Sequence, residues 1–296
     1  MLSTPNNRNT CCVVVTFHPD PALPDRLSPI IRQVDRLLIV DNGSSDSADT
    51  IFNILAADTR IEIIRNKENL GLGVALNQGV QWAGEHGYKW LLTMDQDTVA
   101  RDGLIAGFTA AYEDYPEKEI IALIGANYID RSLGDAIFKG DNSRKRYAEV
   151  IAVITSGCLV LLNAAQVIGP FREDFFIDRV DFEYCLRAQS KGMKVLLTEK
   201  PLMEHGIGTP IMRKIFGKRL LTPNSTPERH YYISRNHIVM MKQYMSSNPE
   251  WIKQSLITRT KEIILMLLLE KNRPRKLWMV FRGTIDGLRG HMGILH

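Results

Sequence analysis

The sequence predicts an α/β fold: a mainly parallel central sheet with flanking helices, followed by a helical C-terminal tail. Four short, β-rich apolar runs, "CCVVVTF" (11–17), "RLLIVD" (36–41), "IEIIR" (61–65) and "KWLLTMD" (89–95), alternate with helical stretches, the pattern of βαβ units. Polar residues follow every run: Thr16, then Asp41, Asn42 and Gly43, then Asn66 and Asn69, then Asp95 and Asp97. In such a sheet these are the carboxyl ends of the strands, where ligands gather. At 296 residues the chain suits one α/β unit with a tail.

The elements follow in order. Helices are expected at about 25–34, from Ser47 through "SADTIFNILAA", and at about 73–86. Residues 150–171 carry no charge and approach the length of a membrane span. Thr155, Ser156, Gly157, Asn163 and Gln166 interrupt them and Gly-Pro ends them, so the reading is a buried strand on each side of "TSG" and then a short helix. Acid-rich "FREDFFIDRVDFEYCLRAQSKG" (171–192) leads into another helix, and a strand follows at about 194–198. The organisation expected is a domain over 1–240, with a nucleotide-binding half at about 11–100 and an acceptor and catalytic half at about 101–240, then a basic helical extension over 241–296.

Composition narrows the class. The chain is 45% hydrophobic and 24% charged, as in ordinary globular proteins. Its cysteines, Cys11, Cys12, Cys158 and Cys185, form no CxxC pair, and reduced thiols in the cytoplasm are expected. The polar start "MLSTPNNRNT" argues against a signal peptide. Net charge is +4, but residues 211–296 hold sixteen Lys and Arg against five Asp and Glu, +11, leaving −7 for residues 1–210. An acidic body with a basic tail suggests metal-dependent chemistry in front and an anionic surface behind. The tail lacks the aromatic stacking pattern of a nucleic-acid binder.

Individual motifs carry two readings each. In "DNGSSD" (41–46) Asn-Gly makes a turn and Ser45 or Asp46 caps a helix, yet Asp41 directly off an apolar strand could accept the imide N–H of a pyrimidine. Gly71 and Gly73 in "ENLGLGVALNQG" are either a helix start or a phosphate-cradling loop. Asp95 and Asp97 are either a helix cap ahead of "TVARDGLIAGF" or a pair that shares a hard cation, Mg²⁺ or Mn²⁺, with open positions for a diphosphate. Of Asp178, Asp181 and Glu183, one acid suits a helix start; three invite catalysis. His205 gains interest only as a third metal ligand. From Trp251 onward, Ile252, Leu256, Ile263 and Leu267 fall on one helical stripe with Lys253, Arg259 and Lys261 elsewhere, which fits either a helix on an anionic membrane surface or a packing helix.

Taken in order, "IVDNGSSD", "NLGLGVALNQG", "MDQD", "TSGCLVL", "FFIDRVDFEYCLR" and "EHGIG" resemble family 2 glycosyltransferases of the GT-A fold over roughly residues 11–240. "TMDQDT", "RHYYISRN" (229–236) and "GTIDGLRGHMG" (283–293) resemble the bacterial rhamnosyltransferases, which use dTDP-L-rhamnose to build O-antigen and related cell-surface polysaccharides. The resemblance implies that Thr16 and Phe17 with Asp41 hold the base, that Asn69 with Gly71 lies along the nucleotide and Asp95 near the ribose, with Asn42 and Gly157 also in the nucleotide-sugar site. It implies a divalent cation at Asp97 with His205, and Asp181 as catalytic base of an inverting transfer. The family's base belongs to a Glu-Asp pair; here it reads Val180-Asp181, which keeps Asp178 as a rival, while Arg187 is expected to pair with an acid. A lipid-linked glycan acceptor would give membrane association by the tail a use, and the place expected is the cytoplasm, peripheral on the inner face of its membrane. Three rivals differ. A nucleotidyltransferase needs a Gly-rich basic loop where "TFHPDPALP" stands, a processive synthase needs membrane spans, and a non-catalytic sugar-nucleotide binder would show no turnover.

Overall fold

The computed structural model describes residues 3–139, 145–206, 210–215 and 218–295. Four parallel strands form its first half: β1 (Thr10–Thr16), β2 (Leu37–Asp41), β3 (Ile61–Arg65) and β4 (Trp90–Asp95), joined through helices α1 (Leu23–Ile31), α2 (Asp49–Ala56) and α3 (Leu72–Glu85). The chain steps from β1 outward to β2 and β3 and then returns to place β4 on the other side of β1. That reversal opens a crevice beyond the carboxyl ends of β1 and β4. Cys11 to Val14 are fully buried, although alternate residues of a strand face opposite sides of the sheet. Helices therefore cover both faces here, which is why the run is apolar without alternation.

The second half extends the same sheet. After β5 (Val99–Ala100) and α4 (Leu104–Asp114) come β6 (Ile121–Asp130), β7 (Asp135–Ala136), β8 (Tyr147–Glu149) and β9 (Cys158–Leu161). Helices α5 (Leu162–Ile168) and α6 (Val180–Ser190) precede β10 (Lys194–His205). The strand order is β3-β2-β1-β4-β9-β6-β10-β5, with β9 antiparallel between β4 and β6. A small hairpin, β11 (Ile211–Ile215) with β12 (Lys218–Thr222), leads into α7 (Pro227–Tyr244), α8 (Pro249–Leu269) and α9 (Arg273–Arg289).

Two expectations are corrected. Only β9 forms beside "TSG"; the segment before it makes no strand. Its carbonyls are taken by side chains, with Gln189 donating to Val150 and Ile151 (3.1 and 2.8 Å) and Thr93 to Thr155 (2.5 Å). A ladder partner is therefore not needed to satisfy them.

The tail is also different from the stripe expected. The face of α8 turned inward carries Trp251, Ser255, Arg259, Met266 and Leu269, while Leu256 is 44% exposed. Arg259, expected to be available outside, donates to Ser234 (2.8 Å) and Glu262 (3.0 Å) instead. Helix α9 packs along α7 because Gly283 and Gly287 leave room for the α7 backbone; a Cβ on Gly287 would lie 2.6 Å from the Arg235 carbonyl oxygen. None of the described helices is long and apolar enough to cross a membrane.

Candidate active site

A cavity of about 1150 Å³ opens at the reversal between β1 and β4 and runs toward α7 and α8. Thr16, Phe17, Asn42, Asn69, Gly71, Asp95, Asp97, Asp181 and His205 all line it. Residues from four strand ends and from the α6 entrance thus meet in one place.

On the nucleotide side, Asn42 ties the rim together. Its Nδ2 donates to Asn69 Oδ1 (3.0 Å) and to the Gly71 carbonyl (3.1 Å), and its Oδ1 accepts from Leu70 N (3.1 Å). Gly71 has φ +90° and a Cβ there would stand 2.7 Å from the Phe176 carbonyl oxygen, so the turn admits only glycine. Gln96, which the sequence reading passed over, grips Phe17 at both ends: Phe17 N donates to Oε1 (2.9 Å) and Nε2 donates to Phe17 O (3.1 Å).

Two of the expected nucleotide contacts lie elsewhere. Asp41 is buried behind Thr16 and is not among the cavity-lining residues. Its carboxylate accepts from Thr16 Oγ1 (3.1 Å), Ser44 Oγ (2.5 Å) and Ser44 N (3.1 Å), with Arg65 Nε 3.6 Å away. Three hydrogen bonds and an ion pair hold the carboxylate, so it braces the rim from beneath. Gly157, at φ +70°, is a turn whose N donates to Thr93 O (2.8 Å) and whose O accepts from Ala126 N (2.7 Å). It stitches β4 to β6 and is likewise not among the residues lining the cavity.

Asp95, Asp97 and His205 each offer a ligand atom, and these atoms lie within 4.8 Å of one another. The helix-cap alternative for the pair fails, because β5 follows and α4 begins only at Leu104. Thr98 Oγ1 sits 2.8 Å from His205 Nδ1 and 2.6 Å from Ser156 Oγ, which in turn accepts from Asp95 N (3.1 Å). This second layer fixes the imidazole orientation, as around metal-binding histidines. Burial lowers the His205 pKa, against the pull of Asp97, so the ring is neutral and can ligate. Burial, with the neighbouring Asp97 and Asp181, pushes Asp95 up to about 7. Two carboxylates and a neutral imidazole fit a divalent cation of the Mn²⁺ or Mg²⁺ kind. Residues 207 and 208 of the "EHGIG" stretch lie outside the described residues.

Opposite stands the loop that opens α6. Phe176, Asp178 and Arg179 all adopt left-handed backbone (φ 63°, 65° and 66°), each at a cost of order 1–3 kcal/mol. The "RN" of "RHYYISRN" holds this shape. Asn236 Nδ2 donates to the carbonyls of Phe175, Ile177 and Asp178 (3.1, 3.0 and 2.9 Å), and Arg235 Nη2 to those of Asp174 and Phe175 (3.1 and 2.9 Å). Arg229, also missed from sequence, binds both oxygens of Asp178 (2.5 and 3.2 Å).

Among the described residues Asp181 by contrast accepts from backbone N–H groups, that of Phe182 at 2.8 Å, and from no side chain. Burial, with help from Asp178, raises its pKa to about 6 against the pull of Phe182 N–H and Arg179. Arg187 pairs as expected with an acid, the buried Glu183 (3.1 and 2.7 Å), which Tyr244 also contacts (2.8 Å).

Residues 11–148 match the sequence profile of "Glycosyl transferase family 2". Along nearly its whole length the chain is similar to the dTDP-rhamnosyl transferase RfbF of Shigella flexneri, 27% identical over 303 residues and covering 97% of this chain and 98% of that one. Over residues 11–148 the chain is thus similar to family 2 glycosyltransferases. Its fold is shared by GalNAc-T7 with UDP, GalNAc and Mn²⁺, with a TM-score of 0.61 at 12% identity over 96% of this chain and 57% of that one. It is shared also by S. aureus TarS, with a TM-score of 0.55 at 13% identity over 79% of this chain; the match spans 39% of the TarS chain. This glycosyltransferase thus has the GT-A architecture that its motifs implied.

Proposed function

We propose that this glycosyltransferase transfers L-rhamnose from dTDP-β-L-rhamnose to a glycan acceptor, with inversion and with a divalent cation, in the building of a cell-surface polysaccharide such as O-antigen. The observation that carries the reading is a single cavity with the Asp95, Asp97 and His205 cluster on one wall and the uncommitted carboxylate of Asp181 on another. The donor sugar rests on the similarity to the Shigella enzyme.

Thr16, Phe17, Asn42, Asn69 and Gly71 line the end that would take the nucleotide, with Asp41 bracing Thr16 from behind. Asp97 and His205 would hold the cation, with Asp95 beside them. When bound, the cation supplies positive charge to the diphosphate as it leaves. Asp181 would take the proton of the acceptor hydroxyl, and a carboxylate poised near neutrality is suited to that task. Asp178 is the weaker candidate because Arg229 occupies both of its oxygens. Attack by the hydroxyl from the face opposite the diphosphate inverts the anomeric carbon, and no covalent nucleophile is required.

The test is donor turnover. Purified protein with Mn²⁺ should release dTDP from dTDP-β-L-rhamnose, and EDTA should stop it. Asp97→Ala should abolish the metal-dependent rate while thermal unfolding stays cooperative. Full activity of the wild type in EDTA would remove the cation from the mechanism, and faster turnover of UDP-sugars would replace the donor.

The acceptor is proposed to be lipid-linked, with the protein peripheral on the inner face of the membrane. Support comes from the outer sides of α8 and α9, where Ile257, Ile264, Leu268, Leu277, Trp278 and Phe281 are all 45–59% exposed beside exposed Lys253, Lys261 and Arg275. Apolar side chains with basic neighbours suit an anionic bilayer surface. Trp278→Ser with Phe281→Ser should reduce co-sedimentation with phosphatidylglycerol vesicles at low salt. If wild type and variant sediment alike, this surface does not meet the membrane.

A further inference from the structure

The cavity does not stop at Asp181. It continues past His230 to α8 and Glu270, and its volume of about 1150 Å³ exceeds the roughly 300–1000 Å³ of a site for one small molecule. What lines the continuation is unusual for a packing helix. Ser255, Thr258, Arg259 and Glu262 of α8 line the cavity, and their spacing of three, one and three places them on one helical face. The apolar Leu256, Ile257, Ile264 and Leu268 of the same helix are 44–55% exposed. Polar Ser255 and Arg259 share the inward side with Trp251, Met266 and Leu269, where a helix that only covered a core would present apolar side chains alone.

Two buried groups in this lobe lack the partners that burial demands. His230 is 4% exposed, and among the described residues neither of its ring nitrogens has a hydrogen-bond partner. Glu270 Oε2 stands 3.6 Å from Nε2, committed instead to Lys276 (2.6 Å). Arg259, 6% exposed, spends Nη1 on Glu262 (3.0 Å) and Nη2 on Ser234 (2.8 Å), while its buried Nε is unpaired. Leaving such groups unmet costs about 1–3 kcal/mol each. Burial and the nearby Arg259 keep His230 neutral, able to accept from one hydroxyl and donate to another.

We propose that this lobe, between α7 and α8, is the acceptor subsite, and that it takes a hydroxyl-rich sugar unit against His230, Thr258 and Arg259. The proposal rests on the transfer reading above, since it places the acceptor on the Asp181 side of the donor. Uncharged sugar hydroxyls match the lobe because its charges are largely met internally, Lys276 by Glu270 and Arg259 by Glu262. They also match its spread of single donors and acceptors, since each hydroxyl can do both.

Thr258 is exposed on the cavity side and holds no buried group in place, so Thr258→Trp fills the lobe without disturbing the core. Saturation-transfer NMR would use full-length protein with dTDP and Mn²⁺. The probes are methyl glycosides of hexoses, 6-deoxyhexoses and N-acetylhexosamines. At least one should bind the wild type, and Thr258→Trp should weaken it tenfold or more while the dTDP affinity moves less than twofold. Gln254→Ala, on the same exposed edge, should weaken it by a smaller factor and guards against misfolding of the bulky variant. Undiminished glycoside binding in Thr258→Trp, or no binding of any member to the wild type, overturns the subsite. Failure of dTDP itself to bind the wild type would instead overturn the donor reading.

Discussion

The two rims of the cavity are built by opposite means. The rim proposed for the nucleotide grows from the sheet: Thr16, Asn42 and Asp95 stand at or directly after the ends of β1, β2 and β4, and Asn42 locks to Asn69 and Gly71, fewer than thirty positions away. The rim proposed for catalysis is a loop in left-handed backbone, which the local chain disfavours, held in place by Arg235 and Asn236 from about sixty positions downstream. Strand ends place groups by default, whereas a strained loop places them only while its clamp lasts. The first rim should therefore tolerate distant change, and the second should not.

The largest expected effect breaks the chemistry of the second rim and spares the first. Asp181→Asn keeps the shape but cannot accept the acceptor's proton. General-base help is worth about 10²–10⁴-fold, so transfer should fall by that order while dTDP affinity holds. The variant should also be more stable to heat at neutral pH. A carboxyl whose folded pKa is raised to about 6 favours folding only while protonated, and that advantage is lost as pH rises through 6. An unchanged transfer rate would remove Asp181 from the base role.

A paired substitution sharpens the comparison. Asn236→Ala strips the clamp from three loop carbonyls. It should lower transfer about tenfold and cost roughly 1–3 kcal/mol of stability, with dTDP affinity nearly kept. Asn42→Ala should do the reverse, weakening dTDP binding more than it slows turnover at saturating donor. Isothermal titration and steady-state rates on both variants decide it. If both lose dTDP affinity equally, the rims are one mechanical unit.

The same difference explains what could be read in the sequence. The four parallel strands and the strand-end polar groups, Asp95 and Asp97 among them, were legible because a buried strand writes its apolar run and its endpoint locally, whereas His205 joined them only through the family resemblance. Arg187 pairing with an acid was legible because the partner, Glu183, lies one helical turn away. The positions of Asp41 and Gly157 were not, since pattern says that a carboxylate leaves a strand, not that Ser44 and Arg65 will claim it. Nor was the direction of α8. Its stripe of Ile252, Leu256, Ile263 and Leu267 obeys helical periodicity, yet a cavity beside it leaves those residues half-buried or exposed and turns Ser255 and Arg259 inward with Trp251, Met266 and Leu269. Hydrophobic periodicity assumes that the interior is apolar, and a hydroxyl-lined lobe breaks that assumption.

The smallest effect tests the boundary within the catalytic rim, between Asp178 and Asp181. Asn is tolerated in left-handed backbone almost as well as Asp, so Asp178→Asn should leave the loop intact and slow transfer less than tenfold. Its signature lies in the pH profile. In the wild type, transfer should fall as pH drops through about 6, because Asp181 is raised there and must be ionised to act. Asp178 contributes to that elevation; removing its charge lowers the Asp181 pKa, and Arg229, freed from its partner, pulls the same way. The acid limb of transfer against pH, measured at one fixed Mn²⁺ concentration for both proteins, should therefore move to lower pH in Asp178→Asn. A limb that stays in place would mean that the titrating group is not beside Asp178. Loss of transfer at every pH would hand the base role to Asp178 itself, and the pairing with Arg229 would then have to open during turnover.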